Sequence, residues 1–170
     1  RLLDRVQATV DGLQTVADIS TIITSQQDTQ QLLQNVVDLT KAQFDFYHAH
    51  IYLYDEMIDA LVLSAGAGEI GQQMVGESRQ IALSAPRSLV ARAARERRGL
   101  VVANVKTDPS FLPHPRLPET RSEMAVPLTV GDQLIGVMDI QSAEVNGFTP
   151  EDVNIQTTLA SQIAVALQNA

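Results

Sequence analysis

The sequence predicts an α+β domain in which an antiparallel sheet carries N- and C-terminal helices on one face. Three observations predict it. Both ends of the 170-residue chain carry apolar residues at helical spacing, internal stretches alternate with a period of two, and short polar turns separate neighbouring strands. A hydrophobic content of 45% is enough for one buried core, so one domain is expected.

Residues 1–24 place Leu3, Val6, Val10, Leu13 and Ala17 three or four apart, with Ile19, Ile22 and Ile23 widening the stripe. That is the period of a helix that buries a seam. Asp28 is a candidate N-cap for a second helix, whose Leu32, Leu33, Val36, Val37 and Leu39 recur up to about Lys41. From Phe46 the period becomes two: Tyr47, Ala49, Ile51 and Leu53 take one face, and Phe46, His48, His50, Tyr52 and Tyr54 the other. Asp55, Glu56 and Asp59 turn the chain into a second strand, Leu61 to Ala65, and the glycine-rich stretch Gly66 to Gly76 reads as a loop.

A helix from Pro86 to Arg98, capped by Gly99, would bury Leu89, Val90, Ala93 and Ala94. Leu100 to Ala103 reads as a short strand, and four prolines between Asp108 and Pro118 make a loop, since proline gives no donor to a ladder. Ser122 to Val130 and Gln133 to Gln141 form a tight hairpin across Gly131-Asp132. In the second arm Leu134, Gly136, Met138 and Ile140 face one way and Ile135 and Val137 the other, which predicts a central strand. Thr149 as N-cap, Pro150 at the first helical position, and Glu151 and Asp152 in the first turn start a last helix. Its Val153, Gln156, Ala160, Ile163 and Leu167 form one stripe and Ile155, Leu159 and Ala166 a second, so two packing partners are expected.

Composition narrows the function. A net charge of −8 disfavours nucleic acid and anionic membrane surfaces. The absence of cysteine removes disulfides, zinc–thiolate sites and thiol nucleophiles. No apolar run reaches a membrane span and no signal-peptide layout opens the chain, so a cytoplasmic fragment without membrane insertion is expected. Helical pattern runs into both ends, at Arg1 and Ala170, which predicts a covalently linked effector domain in a longer protein.

The run "SEMAVPLTVGDQLIGVMDIQSAEVNGFTPEDVNIQTTLASQIAVALQNA" from Ser122 to Ala170 resembles the C-terminal half of GAF domains, and "HIYLYDE" and "GLVVANVKTDPSF" are similar to that family's first strand and mid-chain strand and loop. The resemblance covers roughly residues 12–170. It implies an antiparallel sheet of five or six strands, with terminal helices on one face and a small-molecule pocket, roofed by a helix and loops, on the other. It also implies a regulatory module of bacterial signalling proteins such as sensor histidine kinases, paired as a homodimer through its terminal helices. On that reading residues 1–24 are an N-terminal signalling helix, 25–149 the core and 150–170 a C-terminal signalling helix. Leu3, Val6, Val10 and Leu13 would meet a second copy together with Gln156, Ala160, Ile163 and Leu167.

The family's methionine-sulfoxide reductase and its covalent bilin photoreceptors both use cysteines, so the sequence reading is a chain that is not an enzyme and holds no covalent bilin. Cyclic-nucleotide-binding members resemble an N-K, F, D-E signature, of which Phe148 and Asp152 match while Gln141-Ser142 and Val153 depart. Phe148 also has a simpler role as a hydrophobic staple. His48 and His50 share a strand face and could be two legs of a metal site or part of a pocket wall, but no carboxylate stands at ligand spacing on that strand, so no metal is expected. His114 lies in a proline-flanked loop, where some haem-binding relatives resemble it by carrying a proximal histidine; a solvent-exposed loop histidine is the default reading.

Nine of the twelve cations fall between Arg79 and Arg121, against three acids, a local charge of +6. If this segment roofs a pocket, an anionic small ligand follows; otherwise it is a solvated helix face. The ligand-binding set is therefore expected to be His48, His50, Tyr52, Arg87, Arg121 and Asp139, with Asp139 a hydrogen-bond acceptor and no residue catalytic. A dimerisation scaffold with an empty pocket is the alternative.

Overall fold

The computed structural model describes residues 2–25 and 28–169; Arg1 and Ala170, the ends of the two expected terminal helices, lie outside it. In chain order the elements are α1 (Leu2–Ser25), α2 (Thr29–Phe44), β1 (His48–Asp55), β2 (Ala60–Gly66), α3 (Gly68–Gly76), β3 (Gln80–Ala82), α4 (Leu89–Glu96), β4 (Leu100–Val102), β5 (Ser122–Val130), β6 (Gln133–Ser142) and α5 (Pro150–Gln168). The strands form one six-stranded antiparallel sheet in the order β3-β2-β1-β6-β5-β4. This is the expected α+β architecture, with β6 in the interior.

Each sheet face builds its own apolar cluster. On one side Ala49 and Ile51 of β1, Met124, Val126 and Leu128 of β5, and Met138 and Ile140 of β6 pack under α1, α2 and α5. On the other, Tyr52, Leu61 and Leu63, Ala125 and Val137 pack under Met74 of α3 and the Leu89–Ala94 face of α4. Strand alternation makes this division, because neighbouring residues point to opposite faces.

The helix starts follow their caps. Asp28 accepts from Gln31 N at 3.1 Å, and Thr149 and Asp152 form a reciprocal capping box at 3.1 and 2.8 Å. The mid-chain helix departs from expectation at both ends. It starts at Leu89, because Ser88 accepts from Ala91 N at 3.1 Å, and it ends at Arg97 in the left-handed region (φ 58°) rather than at Gly99.

Three further differences have local causes. Gly66 to Gly76 is not a loop: Gly68–Gly76 is α3, and it lies so close to β2 that a Cβ on Gly66 or Gly71 would collide with the other's backbone. β3, absent from the sequence reading, is a three-residue strand with one inward residue, too short to show a period. In β6 an irregularity opposite Leu128 and Thr129 leaves Ile135 out of register and flips the alternation. Leu134 therefore joins Val137 on the α4 side, not Met138 and Ile140 as expected. Likewise the strand begins at His48, and Phe46 packs against Phe148 (ring centroids 5.3 Å apart) on the α5 side rather than beside His50.

The terminal helices correct the expected interface. Gln156, Ala160 and Ile163 are at most 1% exposed within the single chain, because that stripe of α5 packs on the sheet; only Leu167 of the four is half-buried. The second partner of α5 is α1: Ser20 Oγ donates to Gln162 Oε1 at 2.7 Å, and Ile155 packs beside Gly12. Leu3, Val6, Val10 and Leu13 remain exposed at 79, 52, 52 and 65%.

Candidate functional site

The site follows from strand register. His50 stands opposite Asp139, and His48 opposite Gln141; on the far side of β6, Gln141 pairs with Glu123 and Asp139 with Ala125. With a period of two, His48, His50 and Tyr52 of β1, Asp139 and Gln141 of β6, and Glu123 of β5 all point toward α3 and α4. They form a polar wall inside an otherwise apolar layer.

A cavity of about 20 Å³ opens in front of this wall. His50, Tyr52, Glu123, Asp139 and Gln141 make its base; Arg79 and Ile81 its side; Ser88 to Val90 of α4, Met74, Leu112 and His114 its roof. That is room for one water-sized group, well below the volume of an ordinary small-molecule site.

The wall is one hydrogen-bonded chain. His48 Nε2 lies 3.1 Å from His50 Nδ1, and His50 Nε2 lies 2.6 Å from Asp139 Oδ2. A carboxylate can only accept, so His50 donates from Nε2, and in the neutral ring its Nδ1 accepts from His48. Gln141 Nε2 donates to the same Asp139 oxygen at 2.9 Å, and Thr120 Oγ1 donates to Gln141 Oε1 at 2.5 Å. Opposite, Arg79 Nε donates to Tyr52 Oη at 3.2 Å.

Burial sets the charges. His48 is pushed down to about 3, first by burial and then by the neighbouring His50, and is neutral. Burial, then the adjacent Asp139 charge, raises the Glu123 carboxyl well above its ordinary range, while Arg79 pulls it back. For Asp139 burial acts upward, but hydrogen bonds from Glu123, His50 and Gln141 together with the electrostatic pull of His50 outweigh it, and the net shift is downward. Asp139 is thus the ionised member of the pair and Glu123 the protonated one. Burial also raises the Tyr52 phenol and lowers His114, the latter with help from Arg79.

His50, Tyr52 and Asp139 from the expected set line the cavity; His48 lies behind His50 and acts through it. Arg87 and Arg121 do not line it. Arg87 is exposed, and Arg121 turns along the chain to the Thr120 carbonyl at 3.2 Å. The basic segment is mostly committed elsewhere: Arg92 and Arg98 to Glu96, Arg95 to the carbonyls of Leu83 and Ala85, Arg97 to that of Asp132, and Arg116 to Glu77. Arg79 alone of these nine cations faces the cavity, and with Asp139 ionised the expectation of a basic, anion-seeking roof does not hold.

Sequence reasoning missed Arg79 and Glu123. Glu123 carries a readable signal, an acid alternating with Met124 and Val126 inside an apolar strand; Arg79 carries none, because only the path from α3 to β3 aims it inward.

His114 reaches the cavity, but its Nδ1 accepts from Arg116 N at 3.0 Å. In the neutral ring the proton then sits on Nε2, the nitrogen a haem iron would need, and the cavity is small for a macrocycle. Among the described residues no group of three or more His, Asp or Glu side chains is arranged around a metal position.

A family model described as "GAF domain" matches residues 26–168. "GAF domain-containing protein A" from Dictyostelium discoideum is 26% identical over 141 residues, covering 83% of this chain and 82% of that protein. Among solved structures, the GAF domain of a phosphoenolpyruvate-protein phosphotransferase from Coxiella burnetii superposes with a TM-score of 0.85 at 18% identity, over 95% of each chain. Free methionine-R-sulfoxide reductase from Neisseria meningitidis, in complex with its substrate, superposes with a TM-score of 0.81 at 23% identity, over 92% of this chain and 88% of that one. The expectation that this chain is not an enzyme is thereby overturned: the same architecture serves a reductase, and the missing thiol removes one chemistry rather than all chemistry.

Proposed function

The chain belongs to the GAF domain family, and on that premise we propose that it is a regulatory module that binds one small polar molecule in the cavity between the sheet and α4. The observation that carries this reading is the buried wall of His50, Asp139, Glu123 and Gln141. Burying a carboxylate and its donors is expensive where an apolar wall would fold as well, and such a cost is typically met where a site needs placed polar groups.

The signalling half of the proposal rests on α1. Its exposed Leu3, Val6, Val10 and Leu13 lie three and four residues apart, the spacing of a helix seam that pairs with a second copy. In the proposed protein a filled cavity favours one seating of α1 and α5 over another, and an attached effector of the sensor-kinase kind reads the difference. No helix among the described residues is long and apolar enough to cross a membrane, which suits a cytoplasmic setting.

Calorimetry against free amino acids, free methionine sulfoxide, nucleotides and small carboxylates tests the binding, with each hit followed for turnover because the fold also serves a reductase. A saturable ligand whose affinity drops in Asp139→Asn supports the reading. A panel without heat or thermal stabilisation contradicts it.

A further inference from the structure

One corner of the polar wall is closed only by a proton that two carboxyls share. Asp139 Oδ2 receives two donors, from His50 and Gln141, while Oδ1, on a residue with no exposure, has no partner among the described residues' N–H and hydroxyl groups. Gln141 cannot turn to it, because its oxygen is held by Thr120. The acceptor capacity left facing the cavity is Asp139 Oδ1 and the Glu123 carboxyl, one register step apart on paired strands. At 0 and 5% exposure, two carboxyls this close do not both hold a charge, so one proton serves the pair: Glu123 keeps it and its O–H points to Asp139.

Of the other groups that line the cavity around the pair, Arg79 brings a guanidinium charge that opposes the Asp139 carboxylate. From β1 come His48, which is neutral, His50, which donates to Asp139, and the Tyr52 phenol; from the turn before β3, Arg79, already bonded to Tyr52; from the loop after β4, His114, bonded to its own backbone; from α4, Ser88, bonded to its own helix. Met74 of α3 brings no charge, and Lys41 reaches the network only at His48. An anion would meet the Asp139 carboxylate in a dry wall, with Arg79 as its one cationic partner in the lining. A cationic donor would meet two acceptors.

We propose that the cavity recognises its ligand by a protonated amine or amidinium seated between Asp139 Oδ1 and Glu123, and that this cation replaces the proton the two carboxyls share, so that binding releases a proton. The inference deepens the ligand-binding reading and rests on it. In the exchange the Glu123 O–H bond breaks and its proton passes to solvent. The ligand's ammonium keeps all of its protons and donates one hydrogen bond to each carboxylate. Ligand affinity therefore rises with pH, by at most about tenfold per pH unit while Glu123 is still protonated in the empty site.

Three of the smallest charged probes test it: methylammonium, guanidinium and acetate, titrated into the domain at about pH 5.5 and 8.5 and followed by amide NMR, with calorimetry in two buffers of different ionisation enthalpy. The expected result is saturable shifts at Glu123, Asp139 and His50 for a cation, tighter at the higher pH, with a buffer-dependent heat that reports one proton released. Glu123→Gln is expected to lose both the pH dependence and the released proton. Saturable acetate binding with silent cations overturns the proposal but leaves the cavity as a ligand site. Cation uptake without proton release, or with its pH dependence intact in Glu123→Gln, overturns the exchange. Silence of both cations at the higher pH overturns the cation seat, whereas the wider calorimetric panel decides separately whether the cavity binds anything.

Discussion

Replacing Asp139 with leucine keeps the side chain's volume nearly constant and removes the acceptor that organises the wall. Two N–H donors are stranded at once, His50 Nε2 at 2.6 Å and Gln141 Nε2 at 2.9 Å, and the Glu123 O–H loses its acceptor as well. Both remain inside, since His50 is 2% and Gln141 6% exposed. A hydrogen bond to a charged group contributes ~1.5–3 kcal/mol net, and a donor left unpaired in the interior costs ~1–3 kcal/mol. Relief from holding a buried carboxylate offsets part of that, so the net destabilisation expected is about 3–5 kcal/mol, the usual result of removing one partner of a buried pair. At roughly 2–4 °C per kcal/mol for a domain of this length, Tm falls by roughly 6–20 °C. Urea unfolding followed by circular dichroism gives the free energy, and His50→Phe/Asp139→Leu serves as the control, because deleting both partners strands fewer groups. The double variant is expected to recover at least about 1 kcal/mol relative to the sum of the single changes. An Asp139→Leu protein as stable as wild type, or a strictly additive double variant, would refute the picture of one connected wall.

Three further outcomes follow from the same structure. His48, held near 3 against an ordinary 6.5, binds a proton more readily unfolded than folded, so its contribution to stability is complete above pH 6.5 and falls away as the pH drops toward 3, by at most about 1.4 kcal/mol per unit. Glu123, raised in the fold, has the opposite sign: its contribution is complete below its ordinary 4.5 and is lost as the pH rises toward the raised value. Denaturation across pH should thus show that His48→Gln flattens the acid limb and Glu123→Gln the alkaline one. Gly136→Ala is expected to destabilise by about 1–3 kcal/mol, because a Cβ there would run into the Tyr52 carbonyl oxygen; a thermal melt within a degree of wild type would count against the tight β1–β6 approach. Thr149→Ala, which removes half of the α5 capping box, should cost about 1 kcal/mol in the same urea assay while leaving the cavity's ligand behaviour unchanged.

What the sequence disclosed and what it withheld divide along the range of the interactions. Thr149-Pro150, Asp28 and Gly131-Asp132 act within a few residues, and each marks a boundary that the structure keeps. Period two placed His48, His50 and Tyr52 on one face, and register then set Asp139 against His50, so half of the wall was legible strand by strand. The irregularity at Ile135 was not, because it depends on how β6 meets β5 across the hairpin rather than on the residues of β6 alone. Helix α3 hid behind its glycines, which serve close contact with β2 instead of a flexible loop. The stripe Gln156, Ala160 and Ile163 was legible as buried but not as to what buries it, since a sheet and a second helix leave the same period in the sequence. Arg79 entered the site only through the tertiary path of the chain, while Arg87 and Arg121, equal to it in charge, were turned away.

The most direct test of the central claim is native mass spectrometry of the domain after incubation with the strongest calorimetric hit, beside Val90→Phe, which fills the cavity from α4. Wild type is predicted to carry one ligand mass per chain, and Val90→Phe, still folded by circular dichroism, to carry none. Equal occupancy in both proteins would place the ligand elsewhere and contradict the cavity wall as the binding site.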